Sequence, residues 1–277
     1  MAVVPFPDPQ SNKAGSGLDD RVDPLESSPD LEPGAGKMSF LEHLDELRKR
    51  IARSLIALAG GVAVACIFIT QTFDFIMRPL QQMLPGGGTL IYTEPTEAFM
   101  LYVKIAIISG LIIAAPFIMW QVWLFVAPAL YSNEKRFAVP FVVLSSAGFV
   151  AGAAFSHYVA FPLMWRFFGT FSSDFVTFMP RLQPAFGLYV RLLLALGLVF
   201  QMPSIVFFLS KMGVITARWM IRQFKYAILV MFILAALITP SADMAGQTIV
   251  AVPMIGLYII SIAIAWIFGK RTPKTKT

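Results

Sequence analysis

The chain has 277 residues, of which 57% are hydrophobic and only 14% are charged, and its mean hydropathy is +0.71. This composition excludes an ordinary soluble domain and indicates a membrane protein. The formal net charge of +6 comes mainly from bases that flank apolar segments. It therefore needs no nucleic-acid partner to explain it.

Residues 1–37 differ in composition from the rest of the chain. They are rich in Pro, Gly, Ser and Asp, carry seven acids, and show no sustained apolar period. Such a segment cannot bury enough apolar surface to fold, so we predict a disordered cytoplasmic tail. It also lacks the pattern of a secretory signal peptide, and the first apolar span is expected to act as the insertion signal.

A short segment of mixed charge leads from the tail into the first apolar run. Ser39 and Glu42 have the spacing of a capping box, which predicts that a helix begins here. Phe40 and Leu44 start an apolar stripe, and Glu46 lies one turn after Glu42 on another face. We predict an amphipathic helix at the membrane surface that feeds a spanning helix. Its charges either complement the helix dipole and fix orientation or form an acidic surface for a cationic peptide.

Six long uncharged runs predict an all-α membrane protein with six transmembrane helices. The runs are 54–73, 105–133, 137–165, 192–210, 226–242 and 244–269. A spanning helix needs about 20 apolar residues, and five runs are long enough. Pro240 limits the fifth to Tyr226–Thr239, about 21 Å of helix. The fifth and sixth helices are therefore expected to form a short, shallow hairpin.

The distribution of bases predicts the orientation of this domain. If the amino terminus is inside, the inner flanks carry fourteen bases and the outer ends carry five. The positive-inside rule then places both termini in the cytoplasm. The predicted organisation is a tail at 1–37, a six-span domain at 38–270, and a basic cytoplasmic tail at 271–277.

Prolines and polar residues mark positions inside the predicted spans. Pro116, Pro203 and Pro253 are expected to break the second, fourth and sixth helices, which predicts kinked helices. The candidates for buried polar side chains are Gln121, Gln201 and Gln247. Arg191 is expected about six residues inside the fourth helix, from where it can snorkel outward. Outer loops are expected at about 74–98 and 162–184.

The sequence contains no recognisable catalytic constellation. Its two histidines, His43 and His157, lie far apart, and the single cysteine leaves no transition-metal ligand set. Nucleophile-elbow, phosphate-loop and dinucleotide motifs are also missing from it. We predict a protein that is not an enzyme, with no cofactor and no metal, and we expect His157 at the membrane interface. A small-solute secondary transporter is the alternative, although carboxylates are scarce in the predicted spans.

Four separately placed motifs stand out along the chain. They are Phe40-Leu41-Glu42-His43-Leu44-Asp45-Glu46-Leu47-Arg48-Lys49-Arg50, Pro95-Thr96-Glu97-Ala98-Phe99, Gln121-Val122-Trp123-Leu124-Phe125-Val126-Ala127-Pro128-Ala129-Leu130-Tyr131 with Glu134-Lys135-Arg136, and Thr239-Pro240-Ser241-Ala242-Asp243 with Gln247. Together these motifs resemble the TatC family, the large subunit of the twin-arginine protein translocase. The resemblance runs from about Met38 to about Phe268.

The resemblance implies a function and a set of partners. Proteins of this family are cup-shaped, multi-pass proteins of the bacterial inner membrane. They bind the twin-arginine signal peptides of folded cargo proteins and act as receptor and scaffold. TatA- and TatB-type single-span subunits join them in a multimeric complex, in contact with membrane lipid, and the proton-motive force drives transport.

The resemblance also implies particular site residues. Glu46 and Glu134 would contact the arginine pair, and the residues that line or support this patch would be Arg48, Phe125 and Tyr131. Pro79 falls in the matching outer loop, and Asp243 falls in the outer turn between helices five and six. Gln201 stands where many family members carry glutamate in mid-helix four, so a role that needs a buried negative charge does not carry over.

Overall fold

A computed structural model describes residues 40–82, 90–126, 138–173, 179–239 and 243–269. The chain divides into two units, Met1–Ser39 and Phe40–Thr277, and all described residues belong to the second unit. The two predicted tails, 1–37 and 271–277, lie outside the described residues.

The described residues are almost entirely helical, which confirms the all-α class. The helices are α1 (Phe40–Ile67), α2 (Ile69–Gln82), α3 (Pro95–Val126), α4 (Ala138–Phe155), a π-helical turn (Ser156–Ala160), α5 (Phe161–Gly169), α6 (Leu182–Val199), α7 (Met202–Met212), α8 (Ala217–Arg222), α9 (Phe224–Ile238) and α10 (Met244–Phe268). An isolated bridge joins Ile91 to Arg181.

Among the described residues, five helical segments are long and apolar enough to cross a membrane. They are Leu41–Ile67, Pro95–Phe125, Val139–Gly169, Leu182–Met212 and Met244–Phe268. The predicted fifth span corresponds to α9, which is apolar but has only 15 residues, about 22 Å of helix. Its shortness agrees with the limit that Pro240 sets, and the count of six spans stays a prediction.

The charged segment and the first span form one helix, α1, of 28 residues. The sequence predicted a separate surface helix that feeds the span. No Gly or Pro falls between Glu46 and Leu58, so nothing in this stretch stops the helix from continuing. The capping residue Ser39 lies outside the described residues.

Two of the three expected helix breaks are absent. Pro116 and Pro253 lie inside uninterrupted helices, because one lost backbone hydrogen bond is tolerated in a membrane helix. The break at Pro203 is confirmed: α6 ends at Val199 and α7 begins at Met202. A proline ring clashes with the carbonyl four residues earlier, which places the break at this point.

Both ends of the predicted first outer loop at 74–98 are helical, because α2 extends to Gln82 and α3 begins at Pro95. The prediction that Pro79 lies in a loop is wrong, since this residue sits inside α2. Ile76, Met77 and Leu80 on the same helix are buried in the main core. This apolar face stabilises the helix against the cost of its internal proline.

Small residues allow two pairs of helices to approach closely. A Cβ atom on Gly110 of α3 would lie 2.6 Å from the backbone nitrogen of Val62 in α1. On α4, a Cβ on Gly148 or Gly152 would lie 2.8 Å or 2.7 Å from a carbonyl oxygen of the α6 segment. The Gly148 and Gly152 pair has the small-xxx-small spacing by which membrane helices bring their backbones together.

Candidate functional site

The first candidate site is an acid–arginine pair on α1. Arg50 Nη2 donates to Glu46 Oε1 at 2.9 Å, and the two side chains are only 19% and 16% exposed. A longer hydrogen bond of 3.4 Å joins Arg50 Nη1 to Gln121 Oε1 on α3. Gln121 is buried, as predicted, and its contact brings the start of α1 beside the end of α3.

This pair has spare hydrogen-bonding capacity. Glu46 Oε2 and Arg50 Nε are buried and have no hydrogen-bond partner among the described residues. A buried polar atom without a partner costs about 1–3 kcal/mol, so an incoming donor that satisfies Glu46 Oε2 is favoured. The chemistry of the site therefore suits a cationic ligand that brings N–H donors.

An apolar groove of about 220 Å³ lies beside the pair, between α1 and α3. Arg50 and Gln121 form part of its wall. Most of the remaining lining is apolar: Leu47, Ile51, Leu55, Leu58, Ile118, Val122 and Phe125. The site thus combines a polar end, which can accept a cation, with a surface for apolar side chains.

The structure brings some of the predicted site residues together and separates others. Phe125 lines the groove, and its ring stacks on His43 with centroids 4.4 Å apart. Arg48 is exposed on α1 and is not part of the groove lining. Glu134 and Tyr131 lie outside the described residues.

The neighbouring acid Asp45 behaves differently from Glu46. It forms an exposed i,i+4 pair with Lys49 at 2.7 Å, with side chains 54% and 66% exposed. Such a solvated pair is worth little. Asp45 is therefore an ordinary surface charge of the helix.

Gln201 is buried, as predicted, and has a structural partner. Its side-chain Nε2 donates to the carbonyl oxygen of Ser145 at 2.9 Å, which connects the helix break after Val199 to α4. Gln247 is only partly buried, and Arg191 is the tenth residue of α6, deeper than expected.

The other end of α3 holds a second acid–arginine pair, which the sequence analysis did not identify. Glu97 Oε1 accepts from Arg181 Nη2 at 3.1 Å, and its Oε2 accepts from the backbone N–H of Thr93 at 3.2 Å. Ile91 exchanges backbone hydrogen bonds with Pro180 and Leu182. These contacts fasten together the two chain segments that lead into α3 and α6.

Asp243 lies between α9 and α10, as predicted, and caps α10. Its Oδ2 accepts from the backbone N–H of Gly246 at 2.6 Å. This hydrogen bond satisfies one of the free donors at the start of the helix.

His157, which was expected at the membrane interface, is enclosed by the protein, and its depth in the membrane stays a prediction. His157 is buried in the π-helical turn, and its Nδ1 shares a hydrogen bond of 3.1 Å with the Tyr189 hydroxyl. Phe75 of α2 stacks on its ring at 4.3 Å. The sequence analysis assigned Phe75 to an outer loop and so did not predict that α2 covers the histidine.

Within the described ranges, no group of three or more His, Cys, Asp or Glu could hold a metal ion.

These features define a polytopic helical membrane protein with a partly open acid–arginine site at one end and a closed one at the other. The family model of the Sec-independent protein translocase protein (TatC) matches residues 42–253. The chain belongs to this family, as its motifs predicted, and is a component of protein translocation rather than a catalytic enzyme.

Similar proteins agree over most of the chain. The TatC protein of Koribacter versatilis is 42% identical over 242 residues, covering 86% of this chain and 89% of that protein. The TatC protein of Helicobacter pylori strain J99 is 41% identical over 227 residues, covering 80% and 87%. A crystal structure of a twin-arginine translocase receptor, TatC, superimposes with a TM-score of 0.71 at 35% identity, covering 81% of this chain and 98% of that one.

Proposed function

We propose that this chain is the receptor and scaffold subunit of a twin-arginine translocation system. It binds the Arg-Arg signal peptides of folded cargo proteins and assembles a complex that transports them with the proton-motive force. The observation that carries this proposal is the buried Glu46 Oε2, which has no partner among the described residues although its side chain is only 16% exposed.

An arginine of the signal peptide would donate to this free oxygen. Guanidinium groups form planar, often bidentate hydrogen bonds with carboxylates, whereas a lysine ammonium offers only a point charge. Glu46 can therefore distinguish an arginine pair from a lysine pair. Arg50 holds the other oxygen in place and keeps the carboxylate oriented.

Glu134 is the second acid of the proposed receptor, with Arg48 and Tyr131 as supporting residues. It follows Val126, the last residue of α3, by eight positions, a stretch that can reach about 27 Å when extended. The end of α3 lies beside the start of α1, because Arg50 contacts Gln121. Eight residues are therefore enough for the chain after Val126 to bring Glu134 close to Glu46.

The apolar groove between α1 and α3 would receive apolar side chains next to the arginine pair. Its lining from Leu47 to Leu58 on one side and from Ile118 to Phe125 on the other extends along the helices from the Glu46 pair. Burial of apolar area adds binding energy that does not depend on salt, while the arginine contacts weaken as salt rises.

The decisive experiment compares the binding of an Arg-Arg signal peptide with that of an otherwise identical Lys-Lys peptide. Glu46→Ala and Glu134→Ala are each expected to weaken Arg-Arg binding about ten- to a hundredfold, because each removes a charge-assisted hydrogen bond of about 1.5–3 kcal/mol. Glu46→Gln should be intermediate. Asp45→Ala is the matched control on the same helix, and binding should be unchanged. If both alanine variants bind the Arg-Arg peptide with unchanged affinity, the proposal is wrong.

We also propose six spans with both termini in the cytoplasm of a bacterial inner membrane. Lys211 lies over the ring of Phe268 at 5.5 Å, and Phe208 packs edge-on against Trp123 at 4.9 Å. The ends of α3, α7 and α10 therefore lie together, beside the bases of α8 and α9, which supports a common inner face. In intact cells, the Arg222→Cys variant should react only with a membrane-permeant thiol reagent. The Phe171→Cys variant should react with an impermeant thiol reagent as well.

TatA- and TatB-type single-span subunits are the proposed partners. An apolar cavity of about 630 Å³ lies between the α4–α5 segment and the start of α10, with Leu163, Ile249 and Val252 in its wall. The short α9 cannot match a hydrocarbon core of about 30 Å by itself. We therefore expect a single-span partner helix to pack against α9 and the neighbouring α10. Crosslinks from Ile249 or Val230 to a partner span would support this, and uniform labelling of lipid without partner adducts would contradict it.

A further inference from the structure

A second cavity, of about 740 Å³, lies where α3 and α6 begin. Its apolar lining comes from α5 and α6 and includes Trp165, Phe168 and Leu188. The charged residues that line it are Glu94, Glu97, Lys104, Arg181 and Arg191. This cavity is at the opposite end of α3 from the Glu46 pair and takes no part in the proposed receptor.

The charges in this cavity do not cancel. Arg181 and Glu97 pair with each other, and Glu94 is an exposed residue just before α3. Lys104 and Arg191 remain as two exposed cations, and neither belongs to an ion pair among the described residues. The inner part of the cavity is therefore positively charged.

Both cations occupy the same position in their helices. Lys104 is the tenth residue of α3 and Arg191 the tenth of α6, so each is about 13 Å from the start of its helix. The 32 residues of α3 span about 48 Å, which exceeds the hydrocarbon core by about 9 Å at each end. The backbone of Lys104 then sits about 4–5 Å inside the hydrocarbon boundary, and its long side chain can extend outward toward the level of the lipid phosphates.

We propose that this cavity binds the phosphate group of an anionic phospholipid, with Lys104 and Arg191 as its ligands. Charged side chains at this depth are costly unless an opposite charge or water accompanies them. A lipid phosphate supplies that charge, its acyl chains cover the apolar wall, and the excess of cations favours a headgroup without an ammonium. Gly187 leaves this wall open, because an added Cβ there meets no atom within 4 Å.

Native mass spectrometry of the full chain tests the proposal with two lipids, phosphatidylglycerol and phosphatidylcholine. The wild type should retain phosphatidylglycerol at least about tenfold better. Lys104→Gln and Arg191→Gln should each lower its retention about tenfold, since each loses a charge-assisted contact. Lys104→Arg should keep most of it.

A matched pair of glycine variants tests the position of the lipid. Gly187→Leu should fill the cavity and lower retention. Gly256→Leu is the control, because Gly256 is also helical, partly buried and free of neighbours within 4 Å of an added Cβ. Equal retention in the wild type and in both glutamine variants, or equal loss in the two glycine variants, would overturn the site.

Protection of the wild-type Lys104 amine gives a readout that needs no variant. Phosphatidylglycerol in vesicles should slow acylation of Lys104 relative to Lys225, and inorganic phosphate at the same concentration should not. If inorganic phosphate protects Lys104 equally, the cavity takes a soluble anion and the lipid assignment is wrong. Equal reactivity with and without phosphatidylglycerol overturns the proposal altogether.

Discussion

The two acid–arginine pairs at opposite ends of α3 have similar geometry but differ in construction. Arg50 and Glu46 are 2.9 Å apart and lie one turn apart on a single helix. Arg181 and Glu97 are 3.1 Å apart but separated by 84 positions in the sequence. The first pair lies within one helix and links no separate segments to each other. The second pair connects two segments that are distant in the sequence.

The more telling difference is how completely each carboxylate is satisfied. Both oxygens of Glu97 accept a hydrogen bond, one from Arg181 and one from the Thr93 backbone. Only one oxygen of Glu46 has a partner among the described residues. Free hydrogen-bonding capacity in the carboxylate therefore distinguishes the pair that we propose as a ligand site from the structural pair, which the distance alone does not.

The largest effect is expected from Arg181→Ala. The Glu97 side chain is 2% exposed and would remain as a buried carboxylate without its cation. The free energy of unfolding should fall by about 3 kcal/mol, the lower end of the range for broken buried pairs, because Arg181 itself is half exposed. Denaturation of the purified protein in detergent measures this loss.

A double variant sharpens this prediction. Arg181→Ala combined with Glu97→Gln should recover most of the stability, since no buried charge is left unpaired. Lys49→Ala, which breaks an exposed pair, is the control and should change stability by less than about 0.5 kcal/mol. If the Arg181→Ala protein is as stable as the wild type, Glu97 is solvated or neutral, and the Arg181–Glu97 pair is not a structural one.

A smaller loss is expected from Gln201→Glu. The Gln201 amide donates to the Ser145 carbonyl, and a carboxylate at this position cannot donate. Stability should fall by about 1–3 kcal/mol, and by more than in Gln201→Met, which keeps the volume without placing a charge against a carbonyl. If Gln201→Glu is as stable as the wild type, the site accommodates the acid that the family resemblance implies for this position.

The sequence was sufficient to predict the long apolar helices and the charged start of α1, because both depend on local patterns. Runs without charge gave the long helices, and the proline after Thr239 gave the short α9. The role of Glu97 was not predictable in this way. Its partner Arg181 is distant in the chain, and an acid in the first turn of a helix is explained equally well by the helix dipole.

Two other features were missed for related reasons. Pro79 and the neighbouring charges of α2 favoured a loop, but the burial of Ile76, Met77 and Leu80 against other helices overrides that local preference. The close contact of α4 with α6 depends on Gly148 and Gly152. Their spacing is visible in the sequence, but only the tertiary structure shows which helix they meet.

A test of the turn between α9 and α10 follows from the cap of α10. Asp243→Ala removes the hydrogen bond to Gly246 and should lower stability by about 1 kcal/mol. Asp243→Asn should keep the cap and the stability, because asparagine caps helices about as well. Transport assays on the asparagine variant then isolate the role of charge at this position: lost export at wild-type stability supports a functional acid, and normal export reduces Asp243 to a cap.

The smallest effect on stability is expected from Glu46→Ala, and it tests the contrast between the two ends most directly. An i,i+4 pair on one helix contributes little by itself. Removing Glu46 also removes its buried Oε2, which has no partner among the described residues and is therefore costly, and Arg50 can keep its contact with Gln121. The free energy of unfolding should therefore fall by only about 0.5–1 kcal/mol, although signal-peptide affinity is expected to fall by at least about tenfold.

The two measurements must be made on the same preparations. Arg181→Ala should show the reverse pattern, with a large loss of stability and unchanged peptide affinity once its folded fraction is taken into account. A Glu46→Ala protein that loses as much stability as Arg181→Ala would mean that the first pair is also structural. Its weaker peptide binding would then follow from unfolding rather than from the loss of a receptor group, and the free oxygen of Glu46 would no longer distinguish the two ends.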